Sequence, residues 1–328
     1  MQVLVVILNY RMPGLAIECL RSVKPEVSGL SGVRAVVVDN ASGDGSAAQI
    51  KAAVREGGWS SWASVLAMDH NDGYAAGNNA AIRVALQQSQ SPEYVLILNP
   101  DTLVHPGALG RLLAFMESHP EAGIAGPAIV GPDGELQCSA HNSPTPWTEL
   151  DAASGAGLAR RLGQGPVSPT PSAEAHPCQW VSGSCMLVRR QVFEQVGLLD
   201  EGYFLYYDEV DFCTRAGRAG WQCWYVPEAR ITHLEGSSTG IRQPRKRRAA
   251  YWYDSRRRFF VKTYGIGGLL LADVLWVIGR TILMARRLAG LAGNTRSDPA
   301  WFAWDLLGGD VKALFTGGLA GCRREAIE

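Results

Sequence analysis

Short apolar runs alternate with helix-like segments through the first third of the chain, and this alternation constrains the fold more than any other feature. The runs are rich in β-branched residues and lie at positions 3–8, 35–38 and 94–98, with a fourth strand expected within 59–68. Continuous apolar runs of this length are typical of strands buried on both faces of a parallel sheet. The β-α-β-α-β-α-β order predicts an α/β fold, with a mostly parallel sheet and helices on both faces.

Polar residues follow these strands at the edge where ligands bind in open α/β sheets. Tyr10, Asp39, Asn40 and Asp101 all lie at predicted strand ends. Asp39 could accept hydrogen bonds from a base or a ribose hydroxyl, and Tyr10 could stack on a base, but either residue could equally form a turn. Asp101 is a candidate ligand for Mg²⁺ or Mn²⁺, or else a turn or helix-capping aspartate after Pro100.

A glycine-rich segment at 73–79 precedes the third predicted helix. Gly73 and Gly77 would let the backbone approach a ligand, and Asn78 and Asn79 would cap the helix that follows. The segment does not match the G-x-G-x-x-G nucleotide-binding pattern, so it is weak evidence by itself.

Three carboxylates fall within four residues at Asp208, Glu209 and Asp211. If Asp208 opens a helix, Asp208, Asp211 and Arg215 share one face, while Glu209 points elsewhere. A capping box formed by Asp208 and Asp211 would explain the pattern without any chemistry. The other acidic residues at strand ends favour a functional site.

Two further side chains are candidates for the same site. His233 ends an apolar stretch and precedes a Gly/Ser loop, although a lone histidine is most often structural. Trp180 could form the floor of an acceptor-sugar site or pack in the core.

Composition excludes some classes of function. The 328-residue chain is 47% hydrophobic and has a formal net charge of zero, which argues against a general nucleic-acid binder. Its seven cysteines contain no C-x-x-C pair, so free thiols in a reducing cytoplasm are expected. The N-terminus lacks the basic flank of a secretion signal and is predicted to form the first strand.

The C-terminal region combines basic and apolar segments. Five basic residues lie within 242–248 and three arginines at 256–258; these could contact phosphates or anionic lipid head groups, or form a solvated helix face. Residues 269–285 are apolar apart from Asp273 and Arg280, which recur with Arg287 every seven residues. We expect an interfacial helix, or one docked on the protein or on a second subunit, rather than a spanning one.

Residues 154–172 are expected to form a surface loop, with Arg160 and Arg161 in it.

Several ordered motifs together make the chain resemble a family 2, inverting, GT-A-type glycosyltransferase, of the rhamnosyltransferase-like and galactofuranosyltransferase-like kind. The resemblance covers about residues 3–265. Its motifs are Val-Ile-Leu-Asn-Tyr at 6–10, Val-Val-Asp-Asn-Ala-Ser-Gly-Asp-Gly-Ser at 37–46, Asn-Asp-Gly-Tyr-Ala-Ala-Gly-Asn-Asn at 71–79, Leu-Asn-Pro-Asp-Thr at 98–102, Val-Ser-Gly-Ser-Cys-Met-Leu-Val-Arg at 181–189, the acidic stretch and His233.

The resemblance implies a GT-A (Rossmann-like) domain over 1–240, with a nucleotide-binding half at about 1–105 and an acceptor half at about 106–240. A basic and apolar helical extension would occupy 241–328. Asp39 would read the pyrimidine base of a nucleotide sugar, and the same pocket would be lined by Tyr10, Asn40, Gly73, Asn78 and Asn99.

The metal and acceptor residues follow from the same resemblance. Asp101 matches the last acid of the family's D-x-D motif, and His233 matches its distal metal ligand for Mg²⁺ or Mn²⁺. Asn99 stands where that motif has its first acid, so the site has fewer charged ligands. Trp180, Gly183 and Ser184 would contact the acceptor.

For catalysis, the resemblance assigns the base to Glu209, with Asp208 and Asp211 orienting the acceptor or holding the helix end. The family commonly has Glu-Asp or Asp-Asp at 208–209, so the glutamate keeps the carboxylate and lengthens its reach. The expected reaction moves a sugar from a dTDP- or UDP-linked donor, dTDP-rhamnose included, to a glycan or polyprenyl-linked glycan acceptor. We expect a cytoplasmic enzyme, at the inner face of the plasma membrane or a homodimer through its C-terminal helices.

Two alternatives stay open from the sequence. A catalytically inactive nucleotide-sugar-binding or partner-docking protein could use the same fold, and Asn99 is the residue that favours it. A nucleotidyltransferase shares acids at strand ends, but the glycine-rich basic loop expected after the first strand is absent here.

Overall fold

The computed structural model describes residues 2–158, 163, 165–234, 246–291 and 298–319 of the chain. The chain divides into two compact units. The first contains Met1–His141, Thr170–Phe204 and Asp208–Thr239, and the second contains Asn142–Pro169, Leu205–Tyr207 and Gly240–Glu328.

The first unit is built on a ten-stranded sheet whose N-terminal half is parallel. Four strands lie in the order β3-β2-β1-β4, and the helices α1 to α3 connect them in the chain. Their bounds are β1 Val3–Asn9, α1 Pro13–Gly29, β2 Val33–Asp39, α2 Ser46–Glu56, β3 Ala63–Ala67, α3 Tyr74–Leu86 and β4 Tyr94–Leu98. The predicted parallel sheet is confirmed over this half.

Side chains of β1 alternate between two cores, which explains its continuous apolar sequence. Val3, Val5 and Ile7 pack in one cluster, whereas Leu4 and Val6 pack in the other. Both faces of the strand are therefore covered, as expected for a parallel sheet between helices.

The other half of the sheet is mixed. β11 runs antiparallel to both β4 and β6, while β12 runs parallel to β6 and antiparallel to β5. The elements after β4 in this unit are β5 Thr102–Val104, α4 Ala108–Ser118, β6 Ala122–Val130, β7 Leu136–Gln137, β8 Ala140–His141, β9 His176–Cys178, β10 Trp180–Val181, β11 Cys185–Arg189, α6 Arg190–Val196, α7 Asp208–Arg218 and β12 Gln222–His233. β7 pairs antiparallel with β6 in a hairpin.

Residues 180–189 contain two short strands that belong to different sheets. β10 pairs with β8, and β11 enters the large sheet between β4 and β6. The chain turns between them because Cys185 donates its N–H to the Ser182 carbonyl (3.3 Å) and the Ser182 and Ser184 hydroxyls hydrogen bond (3.0 Å).

The second unit is helical. It contains α5 Pro146–Ser154, α8 Ala250–Leu288, a π-helical turn at Trp304–Gly308 and α9 Gly309–Phe315. Gly265 (φ 76°, ψ 178°) interrupts α8, so two helices meet there at a kink.

The helical unit contains Gly240–Glu328, next to the boundary at 240 expected from the sequence, and it also contains residues 142–169 and 205–207. A Cβ placed on Gly279 would come within 2.7 Å of the Ala153 Cβ, so α8 lies directly against α5. The Tyr264 hydroxyl also donates to the Pro144 carbonyl (2.8 Å). The predicted acceptor half, 106–240, is therefore not continuous.

The predicted basic cluster also needs correction. Arg256 and Arg257 are buried in ion pairs within the helical unit, so these two guanidinium groups are not exposed to bind phosphates or lipid head groups. Arg247 pairs with Asp305 at the surface (2.6 Å). Residues 242–245, Arg160, Arg161 and Cys322 lie outside the described residues, and the six described cysteines are free thiols.

Candidate active site

The carboxyl ends of β1 and β2 are joined by a buried hydrogen-bond cluster centred on Asp39. The Asn9 side-chain amide (2.7 Å) and the Ser42 hydroxyl (2.6 Å) both donate to Oδ1 of Asp39. The Ser42 N–H lies 3.3 Å from Oδ2. Asp39 thus fixes the start of the loop between β2 and α2 at the carboxyl edge of the sheet. Its partners Asn9 and Ser42 were not among the predicted site residues.

Tyr10 projects from the same edge. Its side chain is 40% exposed, and the Arg11 guanidinium lies 5.1 Å from the ring centroid. Arg11 is held in place because its Nε donates to the Ser42 carbonyl (3.1 Å). An exposed ring backed by an ordered guanidinium offers a stacking surface for a base.

The glycine-rich segment approaches the backbone of the loop before α7. Gly73 has φ +97°, and a Cβ there would lie 2.3 Å from the Phe204 carbonyl oxygen. That oxygen accepts the Tyr74 N–H (2.7 Å). Only glycine fits at position 73, since any side chain would be strained and would displace this contact.

Two buried amide oxygens near this segment have no hydrogen-bond partner among the described residues. They are Oδ1 of Asn40 and Oδ1 of Asn78. The nitrogens of both side chains are used: Asn40 donates to Asn71 (2.9 Å) and Asn78 donates to the Tyr74 carbonyl (3.0 Å). Buried acceptors left open in this way are suited to hydroxyl or N–H groups of a ligand.

Asp208 and Glu209 place two carboxyl groups at the start of α7, as predicted. Burial raises the pKa of Asp208 well above its usual value, and the neighbouring charge of Glu209 raises it further. Burial also raises the pKa of Glu209. Oδ2 of Asp208 is buried without a partner among the described residues. Asp208 is buried and Glu209 is half-buried, and because their carboxyl groups interact they titrate as a pair.

Glu209 faces the turn between β10 and β11. A Cβ on Gly183 would lie 3.4 Å from the Glu209 Cβ, so glycine keeps space beside the carboxylate. Tyr74 donates its hydroxyl to the Gly183 carbonyl (2.8 Å). Burial raises the pKa of Tyr74 well above its usual value, with the charges of Asp208 and Glu209 adding to it. The predictions did not include Tyr74, whose one sequence signal is its place in the glycine-rich motif.

The same turn is tied to the end of β4. Asn99 donates its N–H to the Ser184 carbonyl (2.9 Å), and its own Oδ1 is buried without a partner among the described residues. The structure therefore brings Glu209, Gly183, Ser184 and Asn99 together through consecutive contacts.

Asp101 and His233 are in direct contact although 132 positions separate them. His233 Nε2 lies 3.2 Å from Asp101 Oδ1, and the carboxylate is buried. The pairing of β12 with β5 sets this contact, since His233 is opposite Thr102 in the register. Leu234 donates its N–H to the Asp101 carbonyl (2.9 Å).

Two residues predicted to belong to the site, Asp211 and Trp180, make contacts that hold the fold together. Asp211 accepts from Arg215 Nε (2.8 Å), and Arg215 Nη2 donates to the Leu198 carbonyl (2.8 Å), so the pair fastens α7 to the segment after α6. The Trp180 ring stacks on His141, with centroids 4.0 Å apart. Both arrangements explain the residue by packing.

The model of glycosyl transferase family 2 matches residues 3–197, more than half of the chain. The chain belongs to glycosyltransferase family 2. Curated relatives of this glycosyltransferase include an N-acetylglucosaminyl-diphospho-decaprenol L-rhamnosyltransferase of Mycobacterium tuberculosis, 36% identical over 176 residues, covering 48% of this chain and 52% of the relative. A low-salt glycan biosynthesis hexosyltransferase, Agl10 of Haloferax volcanii, is 32% identical over 216 residues (65% and 61%). The chain thus spans about half the length of the first relative and somewhat more of the second.

Solved structures share the fold of this glycosyltransferase. The mannosyltransferase PcManGT of Pyrobaculum calidifontis, in complex with GDP-Man and Mn²⁺, gives a TM-score of 0.54 at 16% identity, covering 98% of this chain and 83% of that one. GalNAc-T7 with UDP, GalNAc and Mn²⁺ gives 0.59 at 13% identity (96% and 58%). These neighbours confirm the predicted GT-A fold, and the family model confirms the predicted family.

The donor atoms around Asp101 fit a divalent cation bound together with a diphosphate. Among the described residues, no three His, Cys, Asp or Glu side chains are grouped closely enough to hold a metal ion by themselves. Asp101 and His233 supply a carboxylate and an imidazole in contact, and the partnerless Oδ1 of Asn99 lies two positions from Asp101 in the chain. Mn²⁺ accepts such ligands, and Mg²⁺ and Mn²⁺ commonly leave positions for phosphate oxygens.

Proposed function

We propose that this glycosyltransferase moves a sugar, with inversion, from a dTDP- or UDP-linked donor to a hydroxyl of a growing, lipid-linked bacterial surface glycan. dTDP-rhamnose is the first donor to test. The relative from Mycobacterium tuberculosis is named for rhamnosyl transfer to a diphospho-decaprenol acceptor, and another relative, from Shigella flexneri, is named a dTDP-rhamnosyl transferase and is 24% identical over 230 residues. The observation that carries the catalytic part is the pair of interacting acids beside Gly183, with Asp208 buried and Glu209 half-buried.

The donor would bind at the carboxyl ends of β1 and β2. The exposed ring of Tyr10 would stack on the base, and the loop held by Asp39 would contact its edge or the ribose. The open oxygens of Asn40 and Asn78 would accept hydrogen bonds from donor hydroxyls. Position and chemistry agree with the rule that ligands of open α/β sheets bind at this edge.

Asp101 and His233 would hold Mg²⁺ or Mn²⁺, with Asn99 as a neutral third donor. When bound, the cation stabilises the negative charge on the departing diphosphate. A carboxylate–imidazole–amide set carries less negative charge than a D-x-D pair with histidine, and it favours Mn²⁺ over Mg²⁺ because Mn²⁺ takes nitrogen ligands more readily.

Glu209 would take the proton from the acceptor hydroxyl as its oxygen attacks the anomeric carbon. The raised pKa of Glu209 makes it a stronger base than an exposed glutamate. A single displacement inverts the anomeric centre and needs no enzyme nucleophile. Gly183 and Ser184, next to Glu209 in the structure, would border the acceptor, with Trp180 behind them.

An inactive nucleotide-sugar-binding protein is the second candidate, because one specific observation favours it. Asn99 replaces an acid, and three acidic, histidine or cysteine ligands are not grouped anywhere in the described part of the chain. Nucleotide binding without turnover would then be the only activity.

A transfer assay distinguishes the two. Purified full-length protein is supplied with lipid extract, Mg²⁺ or Mn²⁺ and, in turn, dTDP-rhamnose and UDP-sugars, and release of nucleoside diphosphate is measured. We expect Glu209→Gln to lower kcat by about 10² to 10⁴-fold while donor binding, measured by thermal shift, is kept. Glu194→Gln is the matched control, since Glu194 is an exposed α6 residue paired with Arg190 (3.6 Å); its turnover should stay within about twofold.

If Glu209→Gln keeps near wild-type turnover, Glu209 is not the base, and Asp208 becomes the candidate for that role. If the wild-type protein releases no nucleoside diphosphate from any donor, yet a nucleotide raises its Tm, the inactive binder is the correct description.

A further inference from the structure

The second half of α8, after the Gly265 kink, turns a continuous apolar face to solvent. This α8 apolar face consists of Leu270, Val274, Val277, Ile278, Met284 and Leu288. The spacing of three, four and seven residues places these side chains on one stripe of the helix. Met284 and Leu288 are 65% and 88% exposed, so the described protein leaves them uncovered.

The stripe also lacks a polar group that requires an external partner. Thr281 is the polar residue that interrupts it, and its hydroxyl donates to the Val277 carbonyl one turn earlier (3.0 Å). A helix face whose hydrogen bonds are all made within the helix can enter a hydrocarbon phase without the cost of an unpaired donor.

Other sides of the same helix are fastened to the protein. Asp273 accepts from the buried Arg256 (3.0 Å), and Arg286 donates to the Ser154 carbonyl at the end of α5 (2.9 Å). By length and composition alone, α8 could cross a bilayer, since an 18-residue window of the helix has a mean hydropathy of 1.8. However, 39% of that 18-residue window is buried in the protein. Crossing would break these contacts, whereas lying in the plane of the interface keeps them all.

The charges beside the stripe suit an anionic surface. Within 266–291 the acidic residue is Asp273, which is buried, while the basic residues are Arg280, Arg286 and Arg287. Arg280 pairs with Asp298, which brings the following segment, with the exposed indoles of Trp301 and Trp304, near this part of the helix. Basic side chains and indoles next to an apolar stripe are typical of helices at the head-group level.

We propose that the α8 apolar face docks on an anionic lipid bilayer, with the helix axis in the membrane plane. Three arginines, Arg280, Arg286 and Arg287, lie beside the face against one exposed acid, Asp298, which already pairs with Arg280. A second copy would therefore bring excess positive charge against positive charge, whereas anionic head groups supply the opposite charge. This inference extends the proposed function, because a docked enzyme meets a lipid-linked acceptor at its own surface. It is tested by lipid binding alone, without donor, acceptor or metal.

Flotation of the full-length protein with vesicles provides the test. Wild-type protein should bind vesicles of phosphatidylcholine with 30% phosphatidylglycerol, bind pure phosphatidylcholine at least about tenfold more weakly, and lose affinity in 0.5 M salt. Val274→Gln combined with Met284→Gln should weaken binding by roughly tenfold or more. Val84→Gln changes an equally exposed valine on α3 of the other unit and should leave binding unchanged.

Thermal unfolding shows whether the double variant is folded. If it is folded, a loss of vesicle binding is caused by the change to the α8 apolar face. Two results would overturn the proposal. One is wild-type protein that floats with neither kind of vesicle. The other is a wild-type dimer that the double variant converts to monomer without any vesicle binding, which would assign the face to a second copy.

Discussion

Asp208 and Glu209 show how much one residue's surroundings change its chemistry. As sequence, they are two acids at a helix start, where negative charge is ordinarily favourable. In the fold they are packed beside Gly183 and Tyr74, and burial raises both of their pKa values. The residue types were predictable, whereas the raised basicity depends on neighbours more than twenty positions away.

This burial has a consequence for stability against pH. Because the folded-state pKa of Asp208 lies above its unfolded value, the folded protein binds more protons between the two values, and stability falls as pH rises through that range. Asn at this position cannot ionise. The Tm of Asp208→Asn relative to wild type should therefore increase from pH 4 to pH 8, by roughly 2 °C or more.

Asp44 supplies a control of opposite sign. Hydrogen bonds from Ser46 lower the pKa of Asp44, so its stabilisation is present above the unfolded pKa and is lost as pH falls. The Tm of Asp44→Asn relative to wild type should therefore fall as pH rises towards 4 and stay nearly constant from pH 4 to pH 8. An Asp208→Asn difference that also stays constant from pH 4 to pH 8 would refute the assignment of the raised pKa to Asp208.

At the scale of elements, the glycine-rich segment before α3 depends on a close backbone approach. Gly73 combines a positive φ with the Phe204 carbonyl at the position of a Cβ, while Gly43 has a positive φ (+69°) and open space around it. Gly43→Ala should cost about 1–2 kcal/mol from conformation alone. Gly73→Ala should cost about 1–3 kcal/mol more, because the added methyl displaces the carbonyl that holds Tyr74.

Urea unfolding measured by tryptophan fluorescence gives the two costs. Equal midpoints for the two variants would show that the Phe204 contact contributes nothing, and that the segment is held by its backbone conformation alone.

At the scale of the whole molecule, a buried ion-pair network joins distant parts of the helical unit. Arg256, 1% exposed, contacts Glu149 of α5 (3.1 Å), Asp273 of α8 (3.0 Å) and Asp310 of α9 (3.3 Å). Burial raises the pKa of Asp273 to about 7, against the attraction of Arg256 that lowers it. One cation therefore balances several acids in a poorly solvated site.

Removing that cation should destabilise the unit strongly. Arg256→Met keeps most of the volume but removes the guanidinium that pairs with Glu149 and Asp273, while Asp310 keeps Arg257 (2.6 Å), and we expect a loss of about 3–5 kcal/mol. Arg247→Met removes the exposed partner of Asp305 and should have little effect on Tm. Hydrogen exchange of α5 and α9 would locate the loss; equal protection in the two variants would show that the network is not stabilising.

The sequence by itself determined the parallel half of the sheet, the polar residues at its carboxyl edge and the family. These features are local: a continuous apolar run reports burial on both faces, and an ordered set of motifs reports relatives. Only the tertiary structure decided that His233 touches Asp101, that Glu209 faces Gly183, that residues 142–169 join the helical unit and that Arg256 is buried. Such contacts link residues far apart in the chain, and strand register and side-chain packing, which have no local periodicity, determine them.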